Sequence, residues 1–170
     1  TDRSHVMQNL QRAAVGFQSV AWLPDAFVLQ EKMERALQKL PVYETGQIYL
    51  QSLASQVPPL LLGLTSSQRH ILDLCAAPGS KTSQIAALAH PNARITAVEI
   101  DEIRTETLRY NLDKLGANNV TIQTMDGRSF GKRNQQQFDA VLVDAPCSGE
   151  ARFRLDNPRT YSSWRGKLVR

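Results

Sequence analysis

The sequence has little cysteine, with Cys75 and Cys147 as the only two among 170 residues. They lie far apart and neither belongs to a C-x-x-C pair, which argues against a disulfide framework and against a zinc site. The three histidines, His5, His70 and His90, show no ligand spacing, so no metal site is predicted. Low cysteine content is typical of a reducing compartment, and we expect a cytoplasmic protein.

The sequence also lacks any hydrophobic run long enough to span a membrane, and residues 1–5 lack the pattern of a signal peptide. We therefore expect no membrane partner. With 170 residues, of which 42% are hydrophobic, the chain is long enough to bury one globular core and not clearly two.

The net charge of +4 is concentrated at the C-terminal end. The segment 150–170 has six basic residues against two acidic ones, whereas the two kinds balance in residues 1–149. Such a segment either contacts the phosphate backbone of a nucleic acid or is a solvated tail, and both interpretations stay open. Its basic residues are Arg152, Arg154, Arg159, Arg165, Lys167 and Arg170.

Residues 1–42 predict a helical N-terminal segment. Two apolar stripes at helical spacing, separated by Trp22-Leu23-Pro24, predict two helices, the second of them capped at Asp25. The first stripe is Val6, Leu10, Ala13, Ala14 and Phe17, and the second is Leu29, Met33, Ala36, Leu37 and Leu40.

Residues 43–170 predict a second domain. It opens with a turn at Tyr43–Gly46 and a helix from Gln47 to about Val57, which Pro58-Pro59 is predicted to end. Strands and helices then alternate, which predicts an α/β fold with a parallel sheet, helices on both faces and ligands at the carboxyl ends of the strands. The last strand is nearly all apolar, which is typical of a strand inside a parallel sheet. Strands are predicted at 71–75, 94–99, 120–124 and 138–143, with a helix carrying Leu108, Leu112 and Leu115 that ends at Gly116.

The segment Asp73–Ser83, Asp-Leu-Cys-Ala-Ala-Pro-Gly-Ser-Lys-Thr-Ser, places a tight Pro-Gly turn between a strand and a helix. Gly79 lets the backbone approach a ligand, the free N–H groups of the helix start can bind that ligand, and the Ser80 hydroxyl is predicted to cap the helix. A Walker loop would need glycine where Cys75 and Ser80 stand, and a dinucleotide fingerprint would need three spaced glycines. The loop therefore predicts a nucleotide-like ligand but matches neither motif.

Polar residues follow the other predicted strands. Glu99 ends the second strand, where an acid can accept hydrogen bonds from ribose hydroxyls. Asp126 follows the third strand and is either an adenine-binding residue or a turn aspartate. Arg104 either covers the ribose or lies on a solvated helix face, and the solvated face is the favoured interpretation. The segment Asp144–Gly149, Asp-Ala-Pro-Cys-Ser-Gly, ends the fourth strand with a carboxylate and the thiol of Cys147.

Together these motifs resemble the NOL/NOP/Sun family of S-adenosylmethionine-dependent RNA 5-methylcytosine methyltransferases, over about residues 43–164. Family members normally have glycine where Ser80 and Ala151 stand, and the second change could stiffen the loop that bears Cys147. The resemblance rests on Gly46–Gln51 (Gly-Gln-Ile-Tyr-Leu-Gln), Asp73–Gly79, Lys81-Thr82, Glu99, Asp126 and Asp144–Gly149.

The resemblance implies a class I methyltransferase fold, Rossmann-like, with a sheet that is incomplete here on its C-terminal side. It implies methyl transfer to carbon 5 of cytosine in rRNA or tRNA, with Asp144 and Cys147 as the base-facing catalytic candidates. It also implies S-adenosylmethionine as the cofactor. The implied cofactor-binding residues are Cys75, Ala76, Ala77, Pro78, Gly79, Ser80, Lys81, Glu99, Asp126 and Asp144, with Arg104 as a further candidate.

In this family the nucleophile belongs to a Thr-Cys motif that the present sequence does not contain, and the cysteine of the Asp-Ala-Pro-Cys loop assists product release. We therefore expect this chain to bind cofactor without turnover, and its last strand to form an exposed edge that favours self-association. Direct attack by Cys147 is a less favoured alternative. Two other functions stay open: a non-catalytic module that binds cofactor or RNA, and a dinucleotide-dependent oxidoreductase.

Overall fold

The computed structural model describes residues 2–147 and 156–162. The predictions for Ala151 and for most of the basic segment, including Arg152 and Arg154, lie outside the described residues. No helix in the described part is both long enough and apolar enough to cross a membrane.

The N-terminal part combines short helices with a β-hairpin whose two strands pair antiparallel. Its first helix starts at an Asp2 cap, because the Asp2 side chain accepts a hydrogen bond from the Ser4 amide at 2.9 Å. The elements are α1 (Arg3–Arg12), β1 (Phe17–Ser19), β2 (Phe27–Leu29), α2 (Glu34–Leu37) and α3 (Pro41–Glu44).

The prediction of a long second helix capped at Asp25 is wrong. Phe17 and Leu29, whose spacing suggested two helices, are partners across the hairpin, and the Phe17 and Phe27 rings meet edge to face at 5.1 Å. The backbone at Lys32 has a φ of +65°, which excludes a continuous right-handed helix through this position. Spacings of three and four residues also fit short elements that pack on one core, so periodicity could not distinguish the two arrangements.

The N-terminal elements share one hydrophobic cluster. Ile48 and Leu50 pack against it although they follow the predicted domain boundary at residue 42. The segment after α3 therefore packs with the N-terminal elements, while the boundary itself stays a prediction. The buried members of the cluster are Val6, Leu10, Val15 and Leu37.

Helix α4 spans Leu53–Leu61 and contains Pro58 and Pro59, so the prediction that these prolines end a helix is wrong. The helix starts later than predicted, after Ser52, whose hydroxyl accepts a hydrogen bond from the Ser55 amide at 3.2 Å. Each proline removes one backbone donor from the helix. Pro59 is fully buried, and we attribute the tolerance of the prolines to this packing.

Four parallel strands form the main sheet, in the order β5-β4-β3-β6. The alternation of strands and helices confirms the predicted α/β fold with a parallel sheet, although β3 and β6 are shorter than predicted. The strand β6 begins at Ala140, two residues later than predicted. We attribute this to Asp139, whose carboxylate accepts hydrogen bonds at the start of β3 from the Arg69 and His70 amides at 2.7 and 2.8 Å. The elements are β3 (His70–Asp73), α5 (Ser80–Leu88), β4 (Arg94–Glu99), α6 (Glu102–Lys114), β5 (Val120–Thr124), α7 (Gly127–Arg133) and β6 (Ala140–Leu142).

Helices cover both faces of this sheet because alternate strand residues point to opposite sides. On one face Ile71 and Ile95 pack with Ile85 of α5, and Ala97 packs with Leu108 of α6. On the other face Leu72 and Val98 pack with Phe130 of α7. The strand ends that carry polar side chains are thus held between two layers of helices.

The strand β6 is the outermost strand of the described sheet, which agrees with the predicted exposed edge, although its apolar sequence is typical of an interior strand. Val141 and Val143 are 46% and 55% exposed, which is unusual for apolar residues at this point of a parallel sheet. Self-association through this edge stays a prediction.

The turn after α3 packs against the C-terminal end of α6. Tyr43 belongs to α3, Gly46 forms the turn with a φ of +72°, and the Lys114 ammonium lies 4.0 Å from the centre of the Tyr43 ring. A side chain at Gly46 would overlap the carbonyl oxygen of Lys114. Glycine is required here both by the backbone angle and by this close approach.

Replacing Gly46 by alanine should lower the free energy of unfolding by the ~1–2 kcal/mol of a left-handed backbone plus the cost of the overlap with Lys114. Gly63→Ala is the matched control, since Gly63 has a φ of +55° and a β-carbon at that position would have no atom within 4 Å. Chemical denaturation of both variants measures the difference. Equal losses would show that the contact with Lys114 does not matter for stability.

Candidate functional site

Four carboxylates lie at the carboxyl edge of the sheet, each at or just after the end of a strand. Asp73 ends β3 and Glu99 ends β4, while Asp126 follows β5 and Asp144 follows β6 by two residues. Parallel strands bring these four positions to one edge, as expected from the sequence for Glu99, Asp126 and Asp144. The loop between β3 and α5 lies at the same edge.

The loop 75–81 is shaped by Gly79, which has a φ of +103° and is the N-cap of α5. A side chain at Gly79 would come within 3.0 Å of Leu108. The prediction that the Ser80 hydroxyl caps the helix is wrong, because Ser80 is already the first helical residue and no side chain caps this end. The first N–H groups of α5 therefore stay available to a ligand.

Helix α6 holds this loop through two side chains. The Arg104 guanidinium donates to the carbonyl of Ala77 at 2.8 Å, and the Asn111 amide donates to the carbonyl of Pro78 at 2.7 Å. Sequence reasoning missed Asn111, although its position two helical turns after Arg104 places both on one face of the helix. The loop is therefore fixed from the side of α6.

Glu99 is buried, with 3% of its surface exposed, and its carboxylate is held by backbone amides and by Arg104. It accepts hydrogen bonds from the backbone amides of Ala77, Ile100 and Asp101 at 3.3, 3.0 and 3.1 Å. Arg104 Nη1 lies 3.3 Å from the carboxylate. Arg104 lies on an exposed part of α6, as the favoured interpretation expected, but half of its side chain is covered and it contacts both Glu99 and the loop.

Asp126 is the N-cap of α7 and is paired with Arg128. Its carboxylate accepts from the Arg128 amide and from the Arg128 guanidinium, both at 2.7 Å. These hydrogen bonds from Arg128 lower the pKa of Asp126 to about 2. The turn-aspartate interpretation describes this geometry, and sequence reasoning missed Arg128 as its partner.

Asp73 lies beneath the loop and is 1% exposed. Its Oδ2 accepts a hydrogen bond from the hydroxyl of Thr82 at 2.7 Å, and its Oδ1 is buried without a hydrogen-bond partner among the described residues. Burial raises the pKa of Asp73 to about 6, although the Thr82 hydrogen bond opposes the shift. The sequence indicated Asp73 only as part of a motif, with no role in the site.

Lys81 and Asp144 form an ion pair across the site, with Lys81 Nζ 2.7 Å from Asp144 Oδ2. The Lys81 side chain is mostly covered at 15% exposure, whereas Asp144 is 57% exposed. The pair joins the first turn of α5 to the segment after β6. Asp144 therefore faces solvent at the mouth of the site with a fixed cation beside it.

The two thiols have different surroundings. Cys147, three residues after Asp144, is exposed, whereas Cys75 is partly covered. Burial, followed by the charges of Glu99, Asp73 and Asp144, raises the pKa of Cys75. Cys75 is therefore a poor nucleophile, and Cys147 is the thiol that is accessible. No group of three metal-ligating side chains occurs in the described ranges.

Comparison with protein families gives a match that covers the loop and the Asp144 segment. The model of the 16S rRNA methyltransferase RsmB/F family matches residues 59–159. Ribosomal RNA small subunit methyltransferase F of Shewanella amazonensis is 38% identical, over 87% of this chain and 32% of that protein. The same-named protein of Cronobacter sakazakii is 39% identical, over 91% of this chain and 33% of that protein. The chain spans about a third of the length of these relatives.

Solved structures give the same fold. A methyltransferase homolog protein from Pyrococcus horikoshii is similar with a TM-score of 0.76 and 30% identity, over 99% of this chain and 55% of that one. The structure of NSun6 from Pyrococcus horikoshii with SFG is similar with a TM-score of 0.60 and 33% identity, over 74% of this chain and 31% of that one. The predicted class I methyltransferase fold is thereby confirmed for the part of the fold that this chain contains.

Replacing Thr82 by valine should lower the free energy of unfolding by about 1–3 kcal/mol, because a fully buried carboxylate loses its hydrogen-bond donor. Thr107→Val is the control, since the exposed Thr107 hydroxyl only contacts a carbonyl of its own helix, and surface changes of this kind stay within about 0.5 kcal/mol. Urea denaturation at pH 7.5 compares the two. Similar stabilities of the two variants would contradict a structural role for the Asp73–Thr82 hydrogen bond.

Proposed function

We propose a function for this chain from the premise that it belongs to the RsmB/F family of 16S rRNA methyltransferases, within the NOL/NOP/Sun family. The chain is the S-adenosylmethionine-binding part of an RNA methyltransferase that modifies carbon 5 of a cytosine in ribosomal RNA. The observation that carries this proposal is the buried Glu99 carboxylate, held beside the Gly79 loop at the carboxyl edge of a parallel sheet.

The residues of the site fit the proposed cofactor. Residues 75–81 supply a glycine turn and the free N–H groups of a helix start, which suit the carboxylate of the methionine part. Glu99 has a fixed orientation and can accept hydrogen bonds from ribose hydroxyls. Asp126 can accept a hydrogen bond from the amino group of the cofactor's adenine. When bound, S-adenosylmethionine supplies an electrophilic methyl group. The similarity to NSun6, which was solved with SFG, supports the proposal that this chain binds a ligand.

The target base would lie at the Asp144 side of the site. A carboxylate accepts a hydrogen bond from the cytosine amino group, and Lys81 holds the Asp144 carboxylate in place at 2.7 Å. Carbon 5 of cytosine is a weak nucleophile, so addition of a thiolate to carbon 6 is needed to activate it. The family resemblance assigns that thiolate to a Thr-Cys motif outside this chain and leaves Cys147 the step of product release.

Calorimetric titration of the chain with S-adenosylmethionine, S-adenosylhomocysteine and the nicotinamide dinucleotides separates the candidate functions. Binding of the first two alone supports the methyltransferase proposal. Binding of the dinucleotides alone would instead favour an oxidoreductase. A second assay separates an enzyme from a binding module that does no chemistry. The full-length parent protein is incubated with methyl-labelled cofactor and 16S rRNA, and transfer of the label to the RNA identifies an enzyme.

Replacing Glu99 by glutamine should weaken S-adenosylmethionine binding by about 1.5–3 kcal/mol, because hydrogen bonds to a charged acceptor are of this size. The control is Glu102→Gln, an exposed acid in the first turn of α6. Calorimetry measures both affinities, and circular dichroism checks that both variants are folded. An unchanged dissociation constant for a folded Glu99 variant would remove this residue from the site.

Neutralising Arg152 and Arg154 should flatten the salt dependence of RNA binding by about one unit of slope for each arginine that binds a phosphate. These two arginines lie outside the described residues, so the proposal rests on the charge of the segment. Filter binding at several salt concentrations gives the slope, with Arg12 and Arg35 of the N-terminal part neutralised as the charge-matched control. Equal slopes for the parent and the Arg152/Arg154 variant would identify the segment as a solvated tail.

A further inference from the structure

Asp73 is a buried carboxylate to which the proposed function gives no role. Its Oδ2 accepts a hydrogen bond from Thr82, the backbone amide of Cys75 also favours the ionised carboxylate, and Oδ1 is buried without a partner among the described residues. Burying an acceptor without a hydrogen bond is costly, so such atoms are few in native proteins. An unpartnered carboxylate oxygen under a ligand-binding loop therefore suggests that its charge acts on the ligand.

The neighbours of Asp73 in the sheet do not compensate its charge. Its register partners are Ala97 on β4 and Leu142 on β6, both buried and apolar. From α5 it is faced by the neutral hydroxyl of Thr82. From the loop it is faced by Cys75, whose backbone amide favours the ionised carboxylate and whose raised pKa keeps the thiol neutral.

Two charged side chains act on Asp73, and they oppose each other. Lys81 stabilises its ionised form and Asp144 destabilises it. Because Lys81 and Asp144 are paired at 2.7 Å, their charges largely cancel. The cluster of Asp73, Lys81 and Asp144 therefore has a net charge of about −1 when Asp73 is ionised and about 0 when it is protonated.

The reactive centre of the cofactor belongs near this cluster. The loop 75–81 starts two residues after Asp73, and the target base is proposed to lie at Asp144, so a methyl group that passes from the cofactor to the base lies between these two residues. S-adenosylmethionine has a positively charged sulfur, whereas the sulfur of S-adenosylhomocysteine is neutral. Resting on the cofactor assignment above, we propose that Asp73 is the specificity-determining residue that makes this site prefer the methylated cofactor over its demethylated product.

The proposal has a pH dependence whose sign follows from the burial of Asp73. Burial raises the pKa of this carboxyl to about 6, so it is ionised above that pH and protonated below it. The preference for the cationic cofactor is therefore present above pH 6 and is lost as the pH falls through 6. The neutral sulfur of the product gives its affinity no comparable dependence on the charge of Asp73.

Calorimetric titration of the parent chain with S-adenosylmethionine and S-adenosylhomocysteine from pH 5 to pH 8 tests this. The ratio of the two affinities should rise about ten-fold with pH, with its midpoint near 6, as expected for one charge acting at several ångströms through an effective dielectric constant of about 20–40. In Asp73→Asn the ratio should be low and independent of pH. Asp113→Asn, which removes an exposed carboxylate at the far end of α6, should keep the ratio of the parent.

A ratio that stays constant in the parent from pH 5 to pH 8 would overturn the proposal, and so would Asp73→Asn with the ratio of the parent at pH 8. If Asp73→Asn does not fold, the titration of the parent decides alone. Failure of the parent to bind either compound would overturn the proposed function itself, and this inference with it.

Discussion

The site depends on the carboxylate of Glu99, which connects three separate parts of the chain. It accepts hydrogen bonds from the loop after β3 and from the turn after β4, and it pairs with Arg104 of α6. Without an acceptor at this position, the amides of Ala77 and Ile100 would lose their partner at the end of the sheet. One side chain therefore fixes the distances between sheet, loop and helix before any ligand binds, which lowers the conformational cost of binding.

The central sheet and the positions of its polar strand ends could be predicted from the sequence. Buried parallel strands are continuous apolar runs, and the residues that follow them must lie at one edge. Gly79 could be assigned for a related reason, since glycine in a tight Pro-Gly turn lets the backbone take conformations and approach a ligand in ways that other residues do not. These features depend on local backbone chemistry, which the sequence records directly.

The rest of the fold depends on contacts between distant residues, which periodicity does not record. The hairpin of β1 and β2 forms because Phe17, Phe27 and Leu29 pack on the cluster of α1, and the same apolar spacing fits a helix equally well. In the site, the partners of the motif residues were missed more often than the motif residues themselves. Asn111 and Arg128 lie outside the motifs, and their roles follow from which neighbour each one reaches.

The carbonyl groups of the loop 75–81 have a consequence for the kind of ligand atom that this loop can bind. Three successive carbonyls are already hydrogen-bonded within the protein: that of Ala76 to the Gly79 amide, that of Ala77 to Arg104 and that of Pro78 to Asn111. The start of α5, by contrast, has N–H groups without helical partners. The loop therefore offers a ligand hydrogen-bond donors and few acceptors. Its backbone polarity selects for electron-rich ligand atoms, whichever side chains surround it.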